Sequence, residues 1–133
     1  MSNIFFDHEK LKVYQKALFY IEWLTDNLNI RGISLNLKDQ MERASNSIVL
    51  NIAEGNGKHT SKDRCRYFDI ALGSTFESAA CIDILFSKNL LTSDKTSEAK
   101  SILKEIASML IGLIKSNSDR VYEDNIEYNT KNK

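Results

Sequence analysis

At 133 residues, with 42% hydrophobic and 27% charged residues, the chain has the composition of one folded soluble domain and not of a disordered one. Its 18 Lys and Arg are balanced by 18 Asp and Glu, which excludes the basic excess of a dedicated nucleic-acid binder. No uninterrupted apolar run reaches about 18 residues, and the N-terminus lacks a charged region followed by an apolar one; the expectation is therefore no membrane span, no secretion signal and a cytoplasmic location.

Proline is absent, and three of the five glycines fall between apolar-periodic segments, so long helices with short breaks are expected. The first predicted helix runs from about Asp7 to Leu28. Leu11, Tyr14, Leu18, Ile21 and Leu28 make one seam, Val13, Ala17, Tyr20 and Leu24 a second, and Phe19 with Trp23 a third strip. A helix apolar around most of its girth needs more than one neighbour, inside the bundle or in another subunit.

The second helix is expected to begin at Ser34, a good N-cap, and to run to Glu54, with Leu37, Met41, Ala44, Ile48 and Ile52 inward. Gly55 stands where a left-handed C-cap residue belongs. Thr60 with Asp63 opens the third helix, Ser61 to about Lys88. Its seam Cys65, Phe68, Leu72, Thr75, Ala79, Ile82 and Phe86 steps by three and four. Beside it run Tyr67, Ala71, Ser74, Ser78, Cys81 and Leu85, and Gly73 with these small residues would admit a close backbone. The fourth helix opens near Thr92, Ser93 or Asp94 and carries Ala99, Ile102, Ile106, Met109 and Leu113. After Ser116 the periodicity fails. The predicted fold class is all-α, an antiparallel up-down four-helix bundle over residues 1–118, followed by a flexible polar C-terminal tail, 119–133.

Metal and cofactor signals are lacking. There is no Glu-x-x-His pair, and the two histidines share no spacing with Cys65 or Cys81, which read as small core residues. The stretch Gly55-Asn56-Gly57-Lys58 follows a helix and lacks the spacing of a phosphate loop. No cofactor and no metal are therefore expected.

Two groups of residues need an explanation. Asn51 continues the seam of Ala44 and Ile48, so it should point inward and find a hydrogen bond. Glu54 lies at a helix C-terminus, where the dipole disfavours a carboxylate, so a cation such as Arg43, Arg64 or Arg66 should compensate. The reading is a structural lock between helices 2 and 3, with a ligand contact as the alternative. Lys58, His59, Lys62, Arg64 and Arg66 form the densest positive run, opposed only by Asp63. It is either a solvated turn and helix face or a phosphate-binding patch at a helix N-terminus.

Several of these stretches carry a resemblance. LKVYQKA from Leu11 to Ala17, the residues Gln40, Arg43 and Ala44, SIVLNIAEG from Ser47 to Gly55, and IALGS from Ile70 to Ser74 followed by Glu77 resemble one known family. It is the four-helix-bundle proteins first noticed as reading frames in the intervening sequences of 23S ribosomal RNA genes, and the resemblance covers about residues 5 to 115. Val49 stands where that family commonly has proline, and Lys58 where it commonly has arginine. The resemblance implies small bacterial proteins that assemble as ring-shaped homopentamers, related to the accessory variability protein of retroelements, which binds nucleic acid and a reverse transcriptase.

The expected function is a non-enzymatic, self-associating adaptor or scaffold. The alternative is an RNA- or DNA-binding accessory protein that binds weakly through Lys58, His59, Lys62, Arg64 and Arg66. Asn51, Glu54, Gly55, Gly57, Arg43, Gly73 and Ser74 are assigned to structure. The expected partners are further copies of the chain, a pentamer being favoured, then nucleic acid or another protein.

Overall fold

A computed structural model describes residues 3–118. It is all-α, with four helices and no strand among the described residues: α1 Lys12–Asn27, α2 Leu35–Asn56, α3 Ser61–Ser87 and α4 Ser93–Ser116. The polar tail expected at 119–133 lies outside the described residues.

Three helix starts follow the sequence. Ser34, Thr60 and Thr92 each adopt extended backbone, and their hydroxyls accept from the amides of Leu37, Asp63 and Lys95 at 3.1, 3.1 and 3.2 Å. Each satisfies one of the amides a helix start leaves unpaired. The first helix departs from expectation. Residues Asp7–Lys10 form a separate 3-10 turn, and Leu11 is extended before α1 begins. The cause is local: the Glu9 carboxylate turns back to accept from the Phe6 amide at 2.9 Å, and the Gln15 side chain donates to the Glu9 carbonyl at 3.0 Å. That carbonyl is thus held by a side chain.

The α3–α4 connection turns on Asn89, the one non-glycine residue of positive φ (60°) among those described. The amides of Leu90 and Asn89 donate to the carbonyls of Leu85 and Phe86 at 2.9 and 3.0 Å, a Schellman ending with asparagine in the left-handed position.

The most deeply packed helix is α3, set against α2 on one side and α4 on the other, while α1 touches both α2 and α4. Its two predicted seams are both used: Cys65, Phe68, Leu72, Thr75 and Ile82 are buried, and so are Ala71, Ser74, Ser78, Cys81 and Leu85. Phe86, predicted to close the first seam, is instead half-exposed near the C-terminal end of the helix. Cross-helix contacts fix the alignment. Cys65 near the start of α3 lies against the carbonyls of Ile114 and Asn117, whereas Asp83 near its end meets Lys100 at 2.7 Å.

In α1 the second seam wins. Val13, Ala17, Tyr20, Trp23 and Leu24 are buried, while Leu11, Tyr14, Leu18 and Ile21 are half-buried. The Trp23 indole donates to Glu98 of α4 at 3.1 Å, which lets the ring go inward with its N–H satisfied. Burial pushes the Tyr20 hydroxyl and the Cys81 thiol above their ordinary pKa values, so both stay neutral in the core.

By length and composition α3 is, among the described residues, one helix long and apolar enough to cross a membrane. Its alanines and phenylalanines raise the average, although Glu77 and Asp83 interrupt the run. A core helix packed on two sides passes the same test.

Candidate functional site: the α2–α3 corner

The corner is built on Gly55. It is helical, buried and part of α2, not the left-handed C-cap expected, and α2 continues to Asn56. Gly57 takes the C-cap position with ordinary right-handed backbone, φ −85°. A Cβ built on Gly55 would stand 2.9 Å from Cε1 of Phe68 and 3.0 Å from Cβ of Tyr67. The glycine is therefore there for close approach of α3. Gly73, expected in that role, is exposed with nothing within 4 Å of a built Cβ.

Arg64 closes the corner. Its Nε donates to Asn117 Oδ1 at 3.0 Å and one terminal nitrogen to the Asn56 carbonyl at 3.0 Å, with the Lys58 carbonyl at 3.4 Å. The other nitrogen reaches Asn56 Oδ1 at 3.4 Å. One guanidinium thus satisfies carbonyls at the end of α2 and ties them to the end of α4. Arg64 was assigned to the basic run, but most of its donors are committed internally. The Asn56 amide in turn donates to Asp7 at 2.9 Å, joining the 3-10 turn to the same corner. That bond holds the Asp7 carboxyl below its ordinary pKa, and Lys10 and Arg64 act in the same direction.

The remaining cations stay outside. His59, Lys62 and Arg66 are exposed, and Lys58 is half-buried. The Tyr67 ring is close to two of them, 5.0 Å from Lys58 Nζ and 5.2 Å from the Arg66 guanidinium carbon. Lys62 and Arg66 share a shallow depression with Asp63 and Asp69, so acidic groups interleave the positive run.

Glu54 does not meet an arginine. Its carboxylate faces Lys58, one turn on, at 3.9 Å with both side chains open to water, and Arg43 is exposed. The expected arginine partner is replaced by a surface contact with Lys58, since Glu54 is exposed while its neighbour Gly55 is buried. Glu54→Gln should therefore change stability by no more than about 0.5 kcal/mol. Urea denaturation checks it; a loss above about 1 kcal/mol would restore a structural role for the charge.

Asn51 is half-buried, not a core residue. Its amide donates to the Ser47 carbonyl at 2.8 Å and to the Ser47 hydroxyl at 3.1 Å, and Ser74 of α3 donates to that hydroxyl at 2.7 Å. A short polar chain thus crosses from α2 to α3, running from Asn51 through Ser47 to Ser74. Farther along the pair, Gln40 reaches Glu77 at 3.5 Å.

The sequence reading missed Asn56 and Asn117. Each is an ordinary helix-end asparagine in sequence, and the arginine that joins them is visible only once α2, α3 and α4 meet. No group of three or more His, Cys, Asp or Glu able to hold a metal converges among the described residues.

Among solved structures, the chain resembles a protein of unknown function from the S23 ribosomal protein family of Bacteroides thetaiotaomicron. The identity is 23% and the TM-score 0.70, over 77% of this chain and 98% of that one. A comparison with curated proteins finds no match. The sequence of residues 9–112 matches the 23S rRNA-intervening sequence protein family, a span that takes in all but the ends of the four-helix unit together with the Gly55 corner, and the chain belongs to that family.

Proposed function

We propose that the protein is a non-enzymatic scaffold whose four helices run antiparallel, up and down, and which associates with further copies of itself, most economically as a ring-shaped pentamer. The observation that carries this reading is the outer face of α3. Ile70, Phe76 and Ile84 are 46%, 49% and 41% exposed there, and Leu50 of α2, one turn beyond Ser47, is 64% exposed. Aliphatic and aromatic side chains left open along a helix that is otherwise the core of the fold favour a protein partner. The sequence placed this surplus on the first helix. In the folded chain α1 hides most of its apolar surface, and its half-exposed Phe19 is overlaid by Lys16 at 5.2 Å.

Two further features support a non-catalytic role. Among the described residues, the groups with shifted pKa values are Asp7, explained by its hydrogen bond to Asn56, and Tyr20 and Cys81, explained by burial in the core. None of the three forms an acid–base pair in a groove. The groove of about 310 Å³ between α1 and α2 has an apolar floor of Ile21, Leu24 and Leu28 with Lys38 and Glu42 among its polar residues, far from the corner.

Light scattering coupled to size exclusion tests the proposal. The expected mass is a multiple of the 15.2 kDa chain, with five copies favoured. A 15.2 kDa species at micromolar concentration would overturn it.

A nucleic-acid role has one observation in its favour, the exposed cations Lys62 and Arg66 with Lys58 around Tyr67. Against it, Arg64 is occupied and Glu54, Asp63 and Asp69 lie among them, so the self-association reading is preferred.

A further inference from the structure

The outer face of α3 carries a regular stripe. Ile70, Glu77 and Ile84 stand seven residues apart, two turns or about 10 Å each, so they line up along the helix, and all three are exposed. Arg66, one turn before Ile70, is exposed on the same side. Glu77 has one long contact, with Gln40 at 3.5 Å. A closed ring of five requires a heterologous contact, in which each chain offers two different surfaces. The ridge of α3 is one; a second has to receive it.

The groove between α1 and α2 has the matching shape. Helix α1 packs less closely on α2 than α3 does, which leaves a concavity of about 310 Å³ floored by Ile21, Leu24 and Leu28. From Ile21 to Leu28 is again two turns, about 10 Å. Its hydroxyls are already used: Thr25 donates to the Ile21 carbonyl and Ser45 to the Glu42 carbonyl, both at 3.0 Å. Few groups are left inside to orient a small polar ligand, whereas an apolar knob needs none. The charges stand on the rim. Lys38 and Glu42 are exposed one turn apart on α2, and neither side chain makes an ion pair or hydrogen bond among the described residues. They complement the ridge, where Arg66 and Glu77 flank Ile70. Because α1 packs on α2 and α4, it lies diagonally across from α3, so ridge and groove can engage two neighbours at once.

On the self-association reading, on which this rests, we propose that the α1–α2 groove of the next copy is the surface that receives α3. Ile70 seats on the floor of Leu24 and Leu28, with Arg66 beside Glu42 and Glu77 beside Lys38. The apolar contact supplies affinity, and the exposed ion pairs set orientation. The occupant is a second copy of this chain, and head-to-tail repetition closes the ring.

Complementation between two broken copies tests it. Ile70→Glu with Ile84→Glu removes the ridge and keeps the groove. Thr25→Arg with Asn46→Arg crowds the groove and keeps the ridge; both side chains are exposed on helices, so the core is untouched. Circular dichroism checks that each variant is helical. By light scattering each alone should have the mass of one 15.2 kDa chain, and an equal mixture should give a pair of twice that mass. The mixture is measured at about 100 μM, because a pair lacks the mutual closure that strengthens a ring. A like-on-like contact would leave the mixture at one-chain mass, which overturns the proposal. A folded groove variant that assembles like the parent, beside a monomeric ridge variant, also overturns it and leaves the self-association of α3 standing. A monomeric parent would remove the self-association reading and this proposal with it.

Discussion

Replacing Gly55 with alanine should destabilise the protein by about 1–3 kcal/mol, against the ordinary expectation that alanine strengthens a helix. A new methyl would stand 2.9 Å from Phe68 and 3.0 Å from the Tyr67 Cβ, closer than real carbon contacts allow. Phe68 is fully buried and cannot swing away, and Tyr67 Cβ is fixed to its backbone. The α2–α3 pair must therefore separate, which strains the Ser47–Ser74 bond as well. Gly112→Ala supplies the contrast. That glycine is exposed in α4 with open space where a Cβ would go, so alanine should add about 0.5–1 kcal/mol. Urea midpoints of the two variants should move in opposite directions, and a shift of the same sign in both would remove the close-approach account of Gly55.

Arg64→Ala should cost about 2–3 kcal/mol, since it leaves the Asn56 carbonyl and Asn117 side chain without their charged donor. Arg64→Lys separates structure from charge. An ammonium keeps the charge but has no planar fork, so it cannot serve Asn56 and Asn117 together and should recover less than half of the loss. Were Arg64 a solvated member of the basic patch, both variants would unfold at the parent's urea midpoint. The loss should also persist at about 0.5 M salt, because the bonds are short and half-buried and not long-range attractions.

These two residues show where sequence reading reached its limit. Ser34 and Thr60 announce helix starts because an N-cap bond spans only three residues, and Thr92 was one of three candidates for the fourth start. The seams of α3 were legible too, since a helix packed on two sides shows both in its own periodicity. Gly55 was not, because a glycine at a helix end serves equally for a left-handed cap or for a close neighbour, and the neighbour is Phe68. Arg64 reads as one cation in a basic run, and its acceptors are decided by the meeting of three helices. The first helix offered three apolar strips, and only packing selects Val13, Ala17, Tyr20 and Leu24 for the core. For Glu54 the helix dipole called for a cation, and it was sought among the arginines when Lys58 is one turn away. At the site, the lock between α2 and α3 was expected from Asn51, Glu54 and the glycines; the polar chain that crosses runs from Asn51 through Ser47 to Ser74, and Ser47 carries no signal of its own in the sequence.

The claim that most needs testing is that the open apolar face of α3 is an interface between copies. The variant Ile70→Glu with Ile84→Glu places two charges on that face without touching the core, since both side chains are more than two-fifths exposed. Light scattering at matched concentration, with circular dichroism to confirm the helices, gives the answer directly. The account predicts a multimeric parent and a helical variant at the mass of one 15.2 kDa chain. A folded variant that assembles like the parent would contradict it.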